Sequence, residues 1–93
     1  MEPLSEAEID QRLPSLGPAW RRDGDTLVAD LECQDFAGAI DLVNRIAAEA
    51  ERANHHPDIL IHDYRQLRIP LSTHSASGLT DNDFALAAAI DGL

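Results

Sequence analysis

Residues 51–83 read E-R-A-N-H-H-P-D-I-L-I-H-D-Y-R-Q-L-R-I-P-L-S-T-H-S-A-S-G-L-T-D-N-D, and their grammar decides the fold. A helical pattern runs into His55-His56, and Pro57 stops it. Proline lacks an amide hydrogen, clashes with a continuing helix and pushes the residue before it towards extended backbone. Ile59, Leu60 and Ile61 then read as a strand. Leu67, Ile69 and Leu71 alternate with Arg68, Pro70 and Ser72 and read as another. Pro70 cannot donate to a ladder, which predicts an edge strand or a bulge. Thr80 is the expected N-cap of a helix over residues 81–90, and Asp83 completes a Thr-x-x-Asp capping signature.

Working outward, residues 36–54 carry the longest helical pattern, with Asp35 as its N-cap. Phe36, Ile40, Val43, Ala47 and Ala50 fall on one side at helical spacing, with Ile46 and Ala53 beside them. This stripe is expected to pack on a sheet or on a second copy of the same helix. Asp23-Gly24-Asp25 is a hairpin signal between strands over residues 20–22 and 26–33. In the second strand, Leu27, Ala29, Leu31 and Cys33 alternate with Val28, Asp30, Glu32 and Gln34, which predicts a buried and a wet face. A short helix is expected over residues 5–13, with Ser5 and Glu8 as a capping box and Leu4 and Ile9 as a hydrophobic staple. The order is α-β-β-α-β-β-α. Two hairpins without a βαβ crossover predict an α+β fold: a four-stranded antiparallel sheet with helices packed on one face.

Ninety-three residues predict a single domain spanning residues 1–93. Seventeen acidic against seven basic residues give a formal net charge of −10. That balance excludes nucleic-acid backbones and anionic membrane surfaces as partners. No apolar run spans a bilayer, and the acidic start lacks the pattern of a signal peptide. Cys33 is the only cysteine, so no internal disulfide forms, and a cytoplasmic location is expected.

All four histidines, His55, His56, His62 and His74, lie in the quoted stretch. Histidine titrates closest to neutral pH, so their clustering points to proton transfer. Zinc sites of the His-Glu-x-x-His kind have a spacing that is absent here, and no metal is expected. His55 near a helix end also suits the helix dipole. Glu51 lies four residues before His55 and is expected on its face of the helix, as a partner or as a solvated acid. Asp83 reads both as a cap and as a support for a neighbouring imidazole. Trp20 reads as a core anchor or as the wall of a flat pocket. Tyr64 reads as sheet packing or as a ligand contact, and His62 as an exposed strand-end residue.

Glu51, His55-His56-Pro57, Tyr64, Thr73-His74, Gly78-Leu79-Thr80 and Asp83, in this order and spacing, resemble the pterin-4a-carbinolamine dehydratase family. Trp20 and the Asp35-Phe36 helix start fit the same pattern. Ser75 departs from it, standing where many relatives carry an acidic residue, and Leu67 stands where valine is common. The resemblance implies a four-stranded antiparallel sheet with helices on one side. It implies loss of water from a 4a-hydroxytetrahydropterin to give the quinonoid dihydropterin, in tetrahydropterin recycling. It makes His55, His56 and His74 the catalytic and pterin-binding histidines, supported by Glu51, Pro57, Asp83 and Trp20, with no cofactor. It also implies homodimers that can pair into tetramers. The competing expectation is a non-enzymatic dimerisation or assembly factor of the same fold.

Overall fold

The computed structural model of the chain describes residues 2–93. Its elements are α1 (Glu6–Arg12), a 3-10 turn (Leu13–Ser15), β1 (Trp20–Asp23), β2 (Thr26–Glu32), α2 (Phe36–Ala53), β3 (Leu60–His62), β4 (Gln66–Leu71), a second 3-10 turn (His74–Ala76) and α3 (Asp81–Asp91). The four strands form one antiparallel sheet in the order β1-β2-β4-β3. The expected α+β architecture, with its element order, is the one observed.

Local chemistry sets the boundaries. Ser5 and Glu8 close a capping box at the start of α1, and Asp35 accepts from the Gly38 amide at 2.7 Å to begin α2. The β1–β2 turn uses Gly24 at φ +59°, a backbone angle that glycine adopts without a Cβ penalty. In β4, Leu67, Ile69 and Leu71 are buried and face the helices. With Leu27 and Ala29 of β2 they pack in one core with Ile9 of α1, Ile46 and Ala50 of α2, and Phe84, Leu86, Ala87 and Ile90 of α3.

Four expectations are corrected. β4 is an interior strand, not an edge, despite Pro70. The Pro70 carbonyl accepts from the Asp58 amide at 3.0 Å, so the proline's nitrogen also points to the β3 side. β3 begins only at Leu60, so the missing N–H costs no bond to β2 and ends the ladder on the other side. Val28 is buried although it stands on the face away from the helices. It is flanked in register by Arg21 and Pro70, whose apolar stem and ring lie beside it. The buried stripe of α2 is turned from the expected one: Ala39, Ile46 and Ala50 are buried and Leu42 and Val43 half-buried. Phe36, Ile40, Ala47 and Ala53 are exposed. Finally, α2 ends at Ala53, within one residue of the expected end, but Asn54 and not Pro57 closes it. Asn54 takes the left-handed conformation, its amide donates to the Glu51 carbonyl, and the His55 amide donates to the Ala50 carbonyl. This is a Schellman closure with asparagine in the position glycine usually takes.

Candidate active site

The Schellman turn decides where His55 goes. The chain leaves the axis of α2 at Asn54, and the His55 ring meets the first turn of α3. There its Nε2 lies 2.6 Å from Oδ1 of Asp83. Asp83 is fully buried, and the His55 side chain is 11% exposed. The other carboxylate oxygen, Oδ2, accepts from the Thr80 amide at 2.9 Å and from the Thr73 hydroxyl at 2.8 Å. Capping and support of an imidazole therefore coexist in one side chain.

The hydrogens of this network are ordered by chemistry. A carboxylate only accepts, so His55 Nε2 carries a hydrogen and donates it. Thr73 has one hydroxyl hydrogen and gives it to Asp83. The 2.8 Å contact between the Thr73 and Thr80 hydroxyls must then be donated by Thr80. Among the described residues no buried side-chain nitrogen or oxygen lacks a partner. The His55 ring makes its side-chain hydrogen bond through Nε2, so its unpartnered Nδ1 reaches the surface.

His74 opens the 3-10 turn that follows Thr73, and it is exposed. The loop is pinched shut at its base, where the Thr73 amide donates to the Gly78 carbonyl at 3.2 Å. Ser77, at φ +56°, makes the reversal, although Gly78 is the neighbouring glycine. With Asp25, Thr26, Ser72, Thr73, Ser77 and Gly78, His74 lines a polar cleft of about 340 Å³.

The remaining expected site residues are placed differently. Glu51 pairs with His56, at 2.6 Å to Nε2, and not with His55. The helix ends between Glu51 and His55, so the i,i+4 geometry does not reach that far. Pro57 is half-buried. Trp20 is buried in the core; its Nε1 donates to Asp91 at 2.9 Å, and it lines a separate cavity of about 210 Å³ with Leu31, Leu42 and Ile90. Tyr64 is exposed in the β3–β4 turn under the Arg65 guanidinium, so it packs on no sheet face. His62 pairs with Asp63 at the strand end. Sequence reasoning missed the hydroxyl of Thr73 as a partner of Asp83. The capping signature exposed Thr80 and Asp83, but nothing local ties a strand-end threonine to them.

Among the described residues no group of three or more His, Cys, Asp and Glu side chains is arranged to hold a metal ion. No described helix is long and apolar enough to cross a membrane.

Comparison with known proteins identifies the family of the chain. The chain is 45% identical to “Putative pterin-4-alpha-carbinolamine dehydratase” of Acidobacterium capsulatum over 93 residues, covering 100% of this chain and 99% of the relative. It is 48% identical to the protein of the same name from Nocardia farcinica, covering 99% and 95%. Among solved structures, a transcriptional coactivator/pterin dehydratase from Brucella melitensis superimposes with a TM-score of 0.91 at 26% identity, over 98% of this chain and 97% of that one. A pterin dehydratase-like RuBisCO assembly factor of the alpha-carboxysome shares the fold, with a TM-score of 0.66 at 22% identity over 80% of this chain and 87% of that one. The profile described as Pterin 4 alpha carbinolamine dehydratase matches residues 2–93, and the chain belongs to that family.

Proposed function

We propose that this protein, as a single domain, dehydrates a 4a-hydroxytetrahydropterin to the quinonoid dihydropterin and water, using histidines as proton carriers. The reaction needs two proton movements. The leaving hydroxyl takes a proton as its carbon–oxygen bond breaks, and the adjacent ring nitrogen loses one as the double bond forms. Groups that titrate near neutrality perform both steps. The observation that carries the reading is the His55–Asp83 pair. With Nε2 held by a buried carboxylate, the neutral ring offers its Nδ1 lone pair at the surface. That atom takes the ring-nitrogen proton, and the Asp83 carboxylate stabilises the imidazolium that forms. His74, from the loop on the other side of Thr73, protonates the departing hydroxyl. Exchange with solvent then restores both rings. His56, held by Glu51, binds the pterin, and no metal or cofactor takes part. Turnover of chemically generated 4a-hydroxytetrahydropterin, followed by ultraviolet absorbance, tests this. Absence of catalysis over the spontaneous rate overturns it.

The working form is a homodimer or homotetramer. The exposed Ile59 and Leu60 at the β3 edge support this, as do Phe36 and Ile40 on α2. An open strand edge and an unpartnered apolar stripe are liabilities for a monomer. Sedimentation showing only monomer at micromolar concentration counts against it. The same exposed surfaces favour a second reading, a dimerisation or assembly role beside the pocket, such as the coactivator and assembly functions named for the two solved relatives. A gene neighbourhood with an aromatic amino-acid hydroxylase favours recycling in the cytoplasm; a carbon-fixation operon favours assembly.

A further inference from the structure

Thr73 joins the loop that carries His74 to the start of α3, whose Asp83 holds His55. Through its backbone it closes the His74 loop: its amide donates to the Gly78 carbonyl at 3.2 Å, and its carbonyl accepts from the Ala76 amide at 3.0 Å. Through its side chain it reaches the other element, with Oγ1 2.8 Å from Asp83 Oδ2. It is 6% exposed, so water does not replace this bond. Behind it stands Thr80, whose hydroxyl donates to Thr73 at 2.8 Å and accepts from the Asn82 amide at 3.3 Å. The chain of donors runs one way, from the Asn82 amide through Thr80 and Thr73 to Asp83. The opposite oxygen of Asp83 is left for His55 Nε2.

We propose that Thr73 is a positioning residue that registers the His74 loop against the His55–Asp83 pair. The inference rests on the dehydratase reading for what the two histidines do, but not for the contact itself. Hydroxyl donation saturates Oδ2 and fixes the rotation of the carboxylate, so that Oδ1 stays aimed at the imidazole. The same side chain sets the distance between the two elements. Catalysis is sensitive to such registration, because displacements of about 1 Å in a reacting constellation cost on the order of 100-fold in rate. A capping role alone does not need Thr73, since Thr80 and Asp83 already complete the box at the start of α3.

The test compares Thr73→Val, which keeps the shape and removes the hydroxyl, with Thr73→Ser, which keeps the hydroxyl. Two readouts are taken on folded protein well below its melting temperature. The first is the proton resonance of His55 Nε2–H, shifted downfield by its short bond to a carboxylate and assigned by its loss in His55→Gln. The second is kcat and KM for the 4a-hydroxytetrahydropterin. The Nε2–H signal is expected to weaken or vanish in Thr73→Val and to persist in Thr73→Ser. For Thr73→Val, kcat should fall about tenfold or more, the scale of a hydrogen bond to a charged group, with KM little changed. Thr73→Ser should stay within about twofold of the parent on the same scale. If valine prevents folding, Thr73→Ala gives the same two readouts. A Thr73→Val or Thr73→Ala protein with parental signal and parental kcat overturns the proposal, whatever its melting temperature. If the parent protein has no dehydratase activity, the functional reading fails. A signal lost with valine and kept with serine still supports the positioning role in that case.

Discussion

His55 Nε2 and Asp83 Oδ1 lie 2.6 Å apart, joining residues 28 positions distant in sequence across the end of α2 and the start of α3. Asp83 is fully buried, and three donors satisfy its two oxygens. Removing a buried acceptor leaves its donors unsatisfied, which typically costs about 1–3 kcal/mol. The acid also caps a helix, and loss of a cap costs about 1 kcal/mol. Asp83→Ala is therefore expected to lose about 2–4 kcal/mol in urea denaturation, with the capping contribution inside that range. Asp83→Asn keeps the shape and one acceptor and should lose less. Equal stabilities for parent and alanine variant would show that the pair contributes nothing to the fold.

The four histidines should separate by element and burial. His55→Ala and His74→Ala are expected to lower turnover by about 100-fold to 10,000-fold each, the range of a lost general acid or base. His56→Ala should act mainly on KM, because its ring is exposed and held by exposed Glu51. His62→Ala should do little, since its partner Asp63 lies in the β3–β4 turn. Steady-state kinetics on variants checked by circular dichroism decide the ranking. Undiminished turnover in His74→Ala would remove the two-carrier scheme.

How far the sequence can be read depends on how local each determinant is. The capping boxes at Ser5 and Thr80, the Asp35 cap and the Gly24 turn are short-range chemistry, and each was legible. So was the alternation of Leu67, Ile69 and Leu71, because a period of two has only two faces to choose between. The rotation of α2 was not, since two apolar stripes compete on it and tertiary packing selects Ala39, Ile46 and Ala50. Pro70 misled because a ladder position has two sides, and only the β3 side lacks its donor. The histidines of the candidate site stood out because all four lie within residues 51–83. The Glu51–His56 pairing did not, because it depends on a left-handed residue ending the helix between Glu51 and His55. Asn54 is that residue, and asparagine marks such a cap more weakly than glycine.

Asn54 is also where a backbone angle controls the site. It holds φ 50° and ψ 42°, and the two Schellman bonds follow from that conformation. An alanine there pays the left-handed penalty of about 1–2 kcal/mol. Asn54→Ala is expected to lower stability by about 1 kcal/mol and to reduce kcat by displacing His55. Asn54→Gly should leave both near the parental value. Thermal melts and kinetics on the two variants check this, and a stable, fully active alanine variant would detach the helix end from the site.

Away from the site, Asp30 sits on the open face of the sheet between two guanidinium groups. Its Oδ1 accepts from Arg68 Nε at 2.8 Å, and its Oδ2 pairs with Arg21. The hydrogen bond from Arg68, followed by that from Arg21, holds its carboxyl below the ordinary aspartate range. A group whose pKa is depressed on folding binds protons more readily in the unfolded chain. Its stabilisation is therefore complete above the unfolded aspartate pKa of about 3.9, and it is lost as pH falls through the lower folded value. The pair is well exposed, so the effect is small and screened by salt. Asp30→Asn is expected to be less stable than the parent at neutral pH and low ionic strength. That difference should shrink as pH drops below the ordinary aspartate range, and again when salt is raised at neutral pH. Comparing the two proteins pairwise cancels the repulsion shared by the rest of this acidic chain. A stability difference that stays constant from neutral to strongly acid pH would assign the role of Asp30 to packing and neutral hydrogen bonding, with no contribution from its charge.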